Sequence, residues 1–346
     1  MLDDKTKEII GLIKSNSPIS SKAIHEILTS EMSYATVKRI LTKLLAESLI
    51  QSTGKGKGTK YVIGQAYELL CPIDVTAYFE NDLDDRDILG GYNLTLITDV
   101  LRHVSLFTKE ELHKLTKLQK TYKDNISTLT ASAYANELER LAIDFSWKSS
   151  QIEGNTYSLL ETERLLKEKE TAEGKQKDEA TMLLNHKEAL DFIISEPNYI
   201  SPLKISRIED IHSLLVNGLG IERNIRKRRI GISGTNYTPL DNDHQIKETL
   251  QDMCDLVNDR ECVFEQALLL LILISYIQAF DDGNKRTARI ISNAVLIKNG
   301  YCPISFRTIN SVEYKKAMLI FYEKNNIIAF KKIFISQFEF AVKTYF

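Results

Sequence analysis

Apolar residues along this chain fall mostly three and four positions apart, which predicts helices, and two stretches break that rhythm. The first break is near the N terminus. Residues 5–14 have helical periodicity, Ser20 and Ser21 cap a short helix reaching residue 28, and Ser33 opens a third helix over 34–48. Val37, Ile40, Leu41, Leu44 and Leu45 form the apolar side of that third helix. Residues 49–52 and 60–63 then alternate like strands, joined by the flexible, basic run Thr53-Gly54-Lys55-Gly56-Lys57-Gly58-Thr59. Helices followed by a two-stranded wing predict a winged-helix domain over residues 1–64.

Residues 65–126 read as a connector of mixed helices, and its acidic run from Glu80 to Asp87 reads as a solvated turn because it lacks calcium-loop spacing. From 127 to 346 the pattern is almost wholly helical. Helices are expected at 128–151, 177–195, 204–217, 245–258, 262–277, 284–299, 312–324 and 329–344, and Ser158 with Glu161 forms a capping box that opens another. The second break is residues 222–240, where Arg226 precedes Ile230-Gly231-Ile232-Ser233-Gly234-Thr235-Asn236-Tyr237-Thr238-Pro239. The fold class is therefore mainly α.

Composition narrows the class. A chain of 346 residues, 43% hydrophobic and 27% charged, matches ordinary globular proteins rather than disordered or fibrous ones. The net charge of −2 is uneven. Residues 1–64 hold 10 Lys/Arg against 6 Asp/Glu, a net of +4, which leaves 35 of the 45 cations against 41 of the 47 acids, a net of −6. A basic module on an acidic body follows, and Lys38, Arg39 and Lys43 on the third helix with Lys55 and Lys57 in the wing are the candidate DNA contacts. Winged helices also serve as protein-contact modules, so both readings stand. Cys71, Cys254, Cys262 and Cys302 show no C-x-x-C pairing, which predicts free thiols rather than a zinc site or disulfides. The charged N terminus has no signal-type apolar core and the apolar run at 267–277 is too short to span a bilayer, so a cytoplasmic protein without membrane contact is expected.

Candidate chemistry concentrates in Gln278-Ala279-Phe280-Asp281-Asp282-Gly283-Asn284-Lys285-Arg286-Thr287-Ala288-Arg289. The buried helix ends at Gln278 and the next begins near Asn284, so the amides of Gly283, Asn284 and Lys285 would point outward at a helix N terminus, where unpaired N–H groups and the helix dipole favour an anion. Lys285, Arg286 and Arg289 add cations, and Asp282 is a hard oxygen ligand suited to Mg²⁺ bridging phosphates. A polyphosphate site is the reading.

This run resembles the active-site loop of the Fic (Fido) family, H-P-F-x-D/E-G-N-G-R-x-x-R, matching at Phe280, Asp282, Gly283, Asn284, Arg286 and Arg289. The resemblance implies a helical Fic core with a β-hairpin flap, ATP and Mg²⁺ as ligands, and transfer of AMP to a hydroxyl of a protein target. It assigns Mg²⁺ to Asp282, an anion hole to Gly283 and Asn284, and a phosphate clamp to the two arginines. Gln278 stands where the family has its histidine base, and an amide cannot take that proton. Upstream, Ser149-Ser150-Gln151-Ile152-Glu153-Gly154 is similar to the inhibitory helix of self-restrained members, implying that Glu153 pairs with Arg289. Residues 222–240 are similar to the family's target-docking flap, placing Ser233, Gly234, Thr235 and Tyr237 against a target. Lys285 is a second departure and is similar to a branch that transfers phosphate instead. Three functions stay open: a restrained transferase, a non-catalytic nucleotide-sensing transcriptional regulator, and a scaffold. Self-association into a homo-oligomer also stays open. His244, just past the flap, is a conceivable substitute base, and His212, inside an apolar-periodic helix, reads as structural.

Overall fold

The computed structural model describes residues 2–64 and 66–346, without the side chain of Lys57. Helix α1 (Asp4–Ser15) is capped by Asp3, β1 is Ile19–Ser20, and Ser20 caps α2 (Ser21–Ile27). Ser33 caps α3 (Tyr34–Ala46) by accepting from the Thr36 amide. Strands β2 (Ile50–Thr53) and β3 (Lys60–Ile63) pair antiparallel, and β1, which the sequence reading missed, adds to the other edge of β3. A two-residue strand is too short to give a periodicity. Ile9, Ile13, Ile24, Val37, Leu41, Leu44 and Tyr61 form a core of their own beneath this sheet.

Three short helices follow, α4 (Tyr67–Leu70), α5 (Val75–Tyr78) and α6 (Leu101–His103), and then the long α7 (Lys109–Ile126). The connector is not a separate body. Leu96, Leu101, Leu106, Leu115 and Tyr122 belong to the same core as the C-terminal helices. Those helices are α8 (Ala131–Ile152), α9 (Leu159–Glu168), α10 (Lys177–Ser195), α11 (Ile205–Val216), α12 (Asp243–Asp259), α13 (Val263–Ile277), α14 (Asn284–Lys298), α15 (Ser311–Lys324) and α16 (Ile328–Thr344). The predicted capping box is present, Ser158 accepting from the Glu161 amide and Glu161 from the Ser158 amide. Helix α13 is buried on every side from Ala267 to Ile277 and forms the central post against which α14 packs antiparallel.

Residues 222–240 depart from expectation, since they form no β-hairpin. Their one bridge joins Thr238 to Gly91 of the connector. The flap is held by the connector instead: the Thr238 amide donates to the Gly90 carbonyl (3.1 Å), the Gly234 carbonyl accepts from the Arg86 side chain (3.3 Å) and the Asn236 side chain donates to the Asp84 carboxylate (2.9 Å). The acidic run is a strap beside the flap and, as expected, a solvated turn, with Glu80, Asp82, Asp84, Asp85 and Asp87 all exposed while Arg86 turns inward. The carboxylate of Glu323, whose side chain has no solvent exposure, anchors this strap by accepting from Arg86 (3.0 Å) and Tyr78 (2.6 Å), while its carbonyl accepts from the Leu89 amide (2.8 Å). Removing one partner of a buried ion pair leaves an uncompensated charge. Glu323→Ala should therefore lower stability by about 3 kcal/mol, read as a fall in the denaturation midpoint, with faster amide exchange at 234–238.

Candidate functional site

The loop between α13 and α14 is held at both ends by left-handed backbone. Gln278, the residue after α13, has φ 53°, and Gly283, just before α14, has φ 84°. Glycine is required at 283 for two reasons: the positive φ, and the His212 imidazole and Val216 side chain, which would lie 3.2 Å from a Cβ there. His212 stacks on the Phe280 ring with centroids 3.7 Å apart, and its Nε2 donates to the Asp282 carbonyl at 2.9 Å. Burial lowers the His212 pKa, which keeps the ring neutral, so the structural role expected of it holds. Arg226 ties the flap to the loop, its Nε donating to the Gln278 carbonyl (2.6 Å), its amide to Ala279, and its other nitrogens to the Leu240 and Arg228 carbonyls.

Over this loop lies a cavity of about 560 Å³. Its floor is Gln278 and Asp281 to Arg286, one wall is residues 230–234 of the flap, and the opposite wall is Tyr314, Lys315, Met318, Leu319 and Tyr322 of α15. The α15 wall was missed from sequence, because an apolar helical stripe looks the same whether it lines a core or a cavity. The first amides of α14 face the cavity floor, and α14's first helical hydrogen bond is Thr287 N–H to the Gly283 carbonyl. Arg286 is 1% exposed, yet its Nε and Nη1 have no partner, and only its Nη2 reaches a carboxylate, that of Asp282 at 3.2 Å. A buried guanidinium with two unmet donors calls for an anion.

The anion hole expected at Gly283 and Asn284 is one of main-chain amides, and the Asn284 side chain has a separate task. Its amide nitrogen donates to the Phe280 carbonyl (2.7 Å) and to Gln278 Oε1 (3.2 Å), and its oxygen accepts from the Phe280 amide (2.9 Å). It braces the loop, and only its main-chain N–H is left for a ligand. Gln278 is fixed as well, donating to the Ser275 carbonyl at 2.6 Å and to the Tyr322 hydroxyl at 3.3 Å. Burial pushes the Tyr322 and Tyr314 phenols up, so neither is a phenolate at neutral pH. His244 is exposed near the start of α12 and does not line the cavity.

Glu153 follows α8 and closes the cavity's inner end. One carboxylate oxygen accepts from Arg289 at 2.8 Å and the other from Lys285 at 3.0 Å. Arg289 is fully buried and also donates to the Ser149 hydroxyl and carbonyl, while Gly154 follows with φ 106°. The predicted pair is present, and Lys285 adds a second cation. Burial alone would raise the Glu153 pKa, but Arg289 and Lys285 outweigh it and hold it down to about 2. Among the described residues no group of three or more His, Cys, Asp or Glu could hold a metal. Asp282, whose side chain is 66% exposed above Arg286, therefore fits Mg²⁺ only where phosphate oxygens complete the shell.

Of the flap residues expected to face a target, Ser233 and Gly234 line the cavity, whereas Thr235 and Tyr237 do not. Tyr237 is 3% exposed, stacked on Tyr276 and Tyr322, and donates to the Tyr276 carbonyl at 3.0 Å. Thr235 accepts from the Tyr237 amide. Both are buried, Tyr237 in the aromatic core and Thr235 beneath the turn at Gly234. In the N-terminal domain Lys38 and Arg39 are exposed beside Tyr34, and Lys55 is exposed in the wing. Lys43 instead lines the cleft that the winged helix forms with Lys331 and Lys332 of α16, and the Lys57 side chain lies outside the described residues.

Comparison with known proteins agrees with this geometry. Residues 202–296 match the Fic/DOC family, and residues 3–70 match the penicillinase repressor family. The chain therefore carries a Fic/DOC family domain behind an N-terminal module of winged-helix type. It is 26% identical over 212 residues to protein adenylyltransferase fic-1 of Caenorhabditis briggsae, covering 57% of this chain and 41% of that protein. It is 24% identical over 296 residues to protein adenylyltransferase Fic of Nematostella vectensis, covering 79% and 68%. The chain thus spans about two fifths of the length of the first of these relatives. Fic-1 (aa134–508) of C. elegans superposes with a TM-score of 0.60 at 20% identity over 68% of this chain and 72% of that one. A Fic domain containing signaling protein from Bacteroides thetaiotaomicron gives 0.57 at 21% identity over 66% and 94%. These likenesses establish the fold.

The Glu153 contacts have a defined pH signature. Its folded pKa lies below the unfolded value, so the stabilisation is complete above about pH 4.5 and fades as pH falls toward about 2. Glu153→Gln should cost about 3 kcal/mol at neutral pH, and urea melts should show the difference from wild type vanishing across that acid window.

Proposed function

We propose that this chain is a restrained Fic-type protein adenylyltransferase, binding ATP with Mg²⁺ in the cavity over residues 278–289 and transferring AMP to a hydroxyl of a protein target. The observation that carries the reading is Arg286, buried with two unpaired donors at the cavity floor beside the open amides of α14. Asp282 would hold the Mg²⁺, and Gly283, Lys285 and Arg286 the phosphates. Bound ATP·Mg²⁺ supplies the activated phosphoryl centre. Glu153 occupies Lys285 and Arg289, two of the cations that a polyphosphate would otherwise engage, so the same carboxylate competes with nucleotide for them. The names of the relatives, which are protein adenylyltransferases, support the reaction class.

A second reading rests on Gln278 and on the match to the penicillinase repressor family: a transcriptional regulator whose Fic core senses nucleotide without chemistry. Gln278 has no basic lone pair, and loss of a general base costs about 10² to 10⁴ in rate. Helix α3 presents Lys38 and Arg39 to solvent, as a recognition helix needs.

Two measurements decide. In calorimetry with ATP and Mg²⁺, Glu153→Gly should bind more tightly than wild type, and adding Arg286→Ala should weaken binding by at least about 1 kcal/mol. Gln278→His with Glu153→Gly should then transfer label to itself or to a protein in lysate. Label from the α-phosphate means AMP transfer, label from the γ-phosphate means phosphate transfer through Lys285, and retained ATP binding with neither label leaves the sensor reading. For the N-terminal domain, Lys38→Glu with Arg39→Glu should abolish a salt-sensitive mobility shift of duplex DNA. Absence of any shift by wild type at low salt makes the module a protein-contact domain.

A further inference from the structure

A second cavity, of about 300 Å³, lies where the winged helix meets the rest of the chain, and it shares no lining residue with the cavity over the α13–α14 loop. Its volume is at the small end of the range for ligand sites, which suits a small molecule rather than a segment of chain. One wall is the end of α3 and the residues after it, Lys43, Ala46, Glu47 and Leu49, and the other is the turn before α7 together with one side of α16. Lys43, a candidate DNA contact by sequence, belongs to this cleft.

The lining divides by chemistry. Leu49, Leu70, Leu106, Phe107 and Ile328 supply apolar surface, and three ammonium groups share the cleft with two carboxylates. Lys331 is 3% exposed, and its Nζ donates to the Leu106 carbonyl (3.0 Å) and to Glu111 (2.8 Å), with the centre of the Phe107 ring at 5.9 Å. An ammonium has three N–H groups, so this buried one keeps a donor that no acceptor meets among the described residues. Glu111 is committed, because the same oxygen accepts from the Thr108 amide in the cap of α7 (2.8 Å). Lys332 is exposed and has no carboxylate partner among the described residues, while Lys43 meets Glu47 only at 3.9 Å, the outer limit of an ion pair.

We propose that this cleft binds a small carboxylic acid with an apolar body, a short alkyl or aryl acid. Its carboxylate meets Lys331, Lys43 and Lys332, and its body covers Leu49, Leu106 and Phe107. Charge selects the acid: an alcohol of the same shape leaves the ammonium groups unmet, and an amine adds a fourth cation to three. Apolar surface selects against bare phosphate, which would cover none of it productively. The walls come from the winged helix and from the helical body behind it, so an acid seated there touches both and stabilises the chain as any ligand of the folded state does. The site is independent of either reading of the phosphate cavity.

The test uses the full chain and four probes, hexanoate, phenylpropionate, hexylammonium and hexanol. Ligand-observed NMR titrations should show both acids binding at least about tenfold more tightly than the amine or the alcohol, with affinity falling as salt rises, and only the acids should raise Tm. Lys43→Glu with Lys332→Glu, both exposed, should remove about tenfold or more of the affinity for the acids. Ala46→Trp, an exposed position on the cleft wall, should block them without a change of charge. Melting of both unliganded variants near the wild-type temperature reports that they are folded. Equal binding of the four probes, binding of neither acid, or acid binding retained in both variants overturns the proposal. Inorganic phosphate that binds as tightly as the acids and is lost in the charge variant, or duplex DNA held through these lysines with no acid bound, assigns the cleft to phosphate groups and overturns it equally.

Discussion

Everything at the site depends on the loop between α13 and α14 turning back on itself between two left-handed residues, Gln278 and Gly283. The turn lets a fully buried helix hand over to one whose first amides face a cavity. It survives because several groups fix it at once: Phe280 under the His212 ring, the Asp282 carbonyl on His212, the Asn284 side chain across the loop, and Arg226 from the flap. Left-handed backbone at a non-glycine residue costs of order 1 kcal/mol or more and persists only where surroundings over-determine it. Gln278 is such a residue. At the position where the resemblance places a general base, the chain carries an amide on strained backbone.

Charge gives that frame its state. Arg286, Arg289 and Lys285 converge from one turn and a half of α14, a costly arrangement with no anion present. Glu153 meets two of the three cations, one per oxygen, and leaves Arg286 with unmet donors. The result is a cavity in which a single carboxylate, just after α8, holds two of the cations, and a glycine in place of Lys285 would leave one Glu153 oxygen unpaired.

The connector binds these parts into one body. Through Glu323 it ties its strap to α15, and through the strap it presses the flap inward, placing Tyr237 in the core and the 230–233 edge along the cavity. The flap is held by tertiary contacts at both ends instead of by its own ladder, so its position depends on the segment that also leads to the winged helix.

Local pattern sufficed for the helices, since periodicity and caps such as Ser33, Thr130 and Ser158 act within a few residues. Glu153 and Arg289 are named as partners by the resemblance of residues 149–154 and 278–289 to two family motifs, and the fold brings them together. What the sequence could not settle lies in contacts between segments distant along the chain. The resemblance implies a hairpin for the flap, but the Thr238 amide and the Gly234 carbonyl bond residues some hundred and fifty positions earlier. The acidic run reads as solvated and its acids are exposed, but nothing local tells Asp84 that Asn236 lies beside it. Nothing local shows that the Asn284 side chain braces the loop through both the N–H and the C=O of Phe280. Tyr237 carries a polar tip suited to a surface, and only the strap behind it and Tyr276 and Tyr322 in front make it core. Periodicity reports which face of an element is buried; what that face is buried against is decided by the tertiary structure.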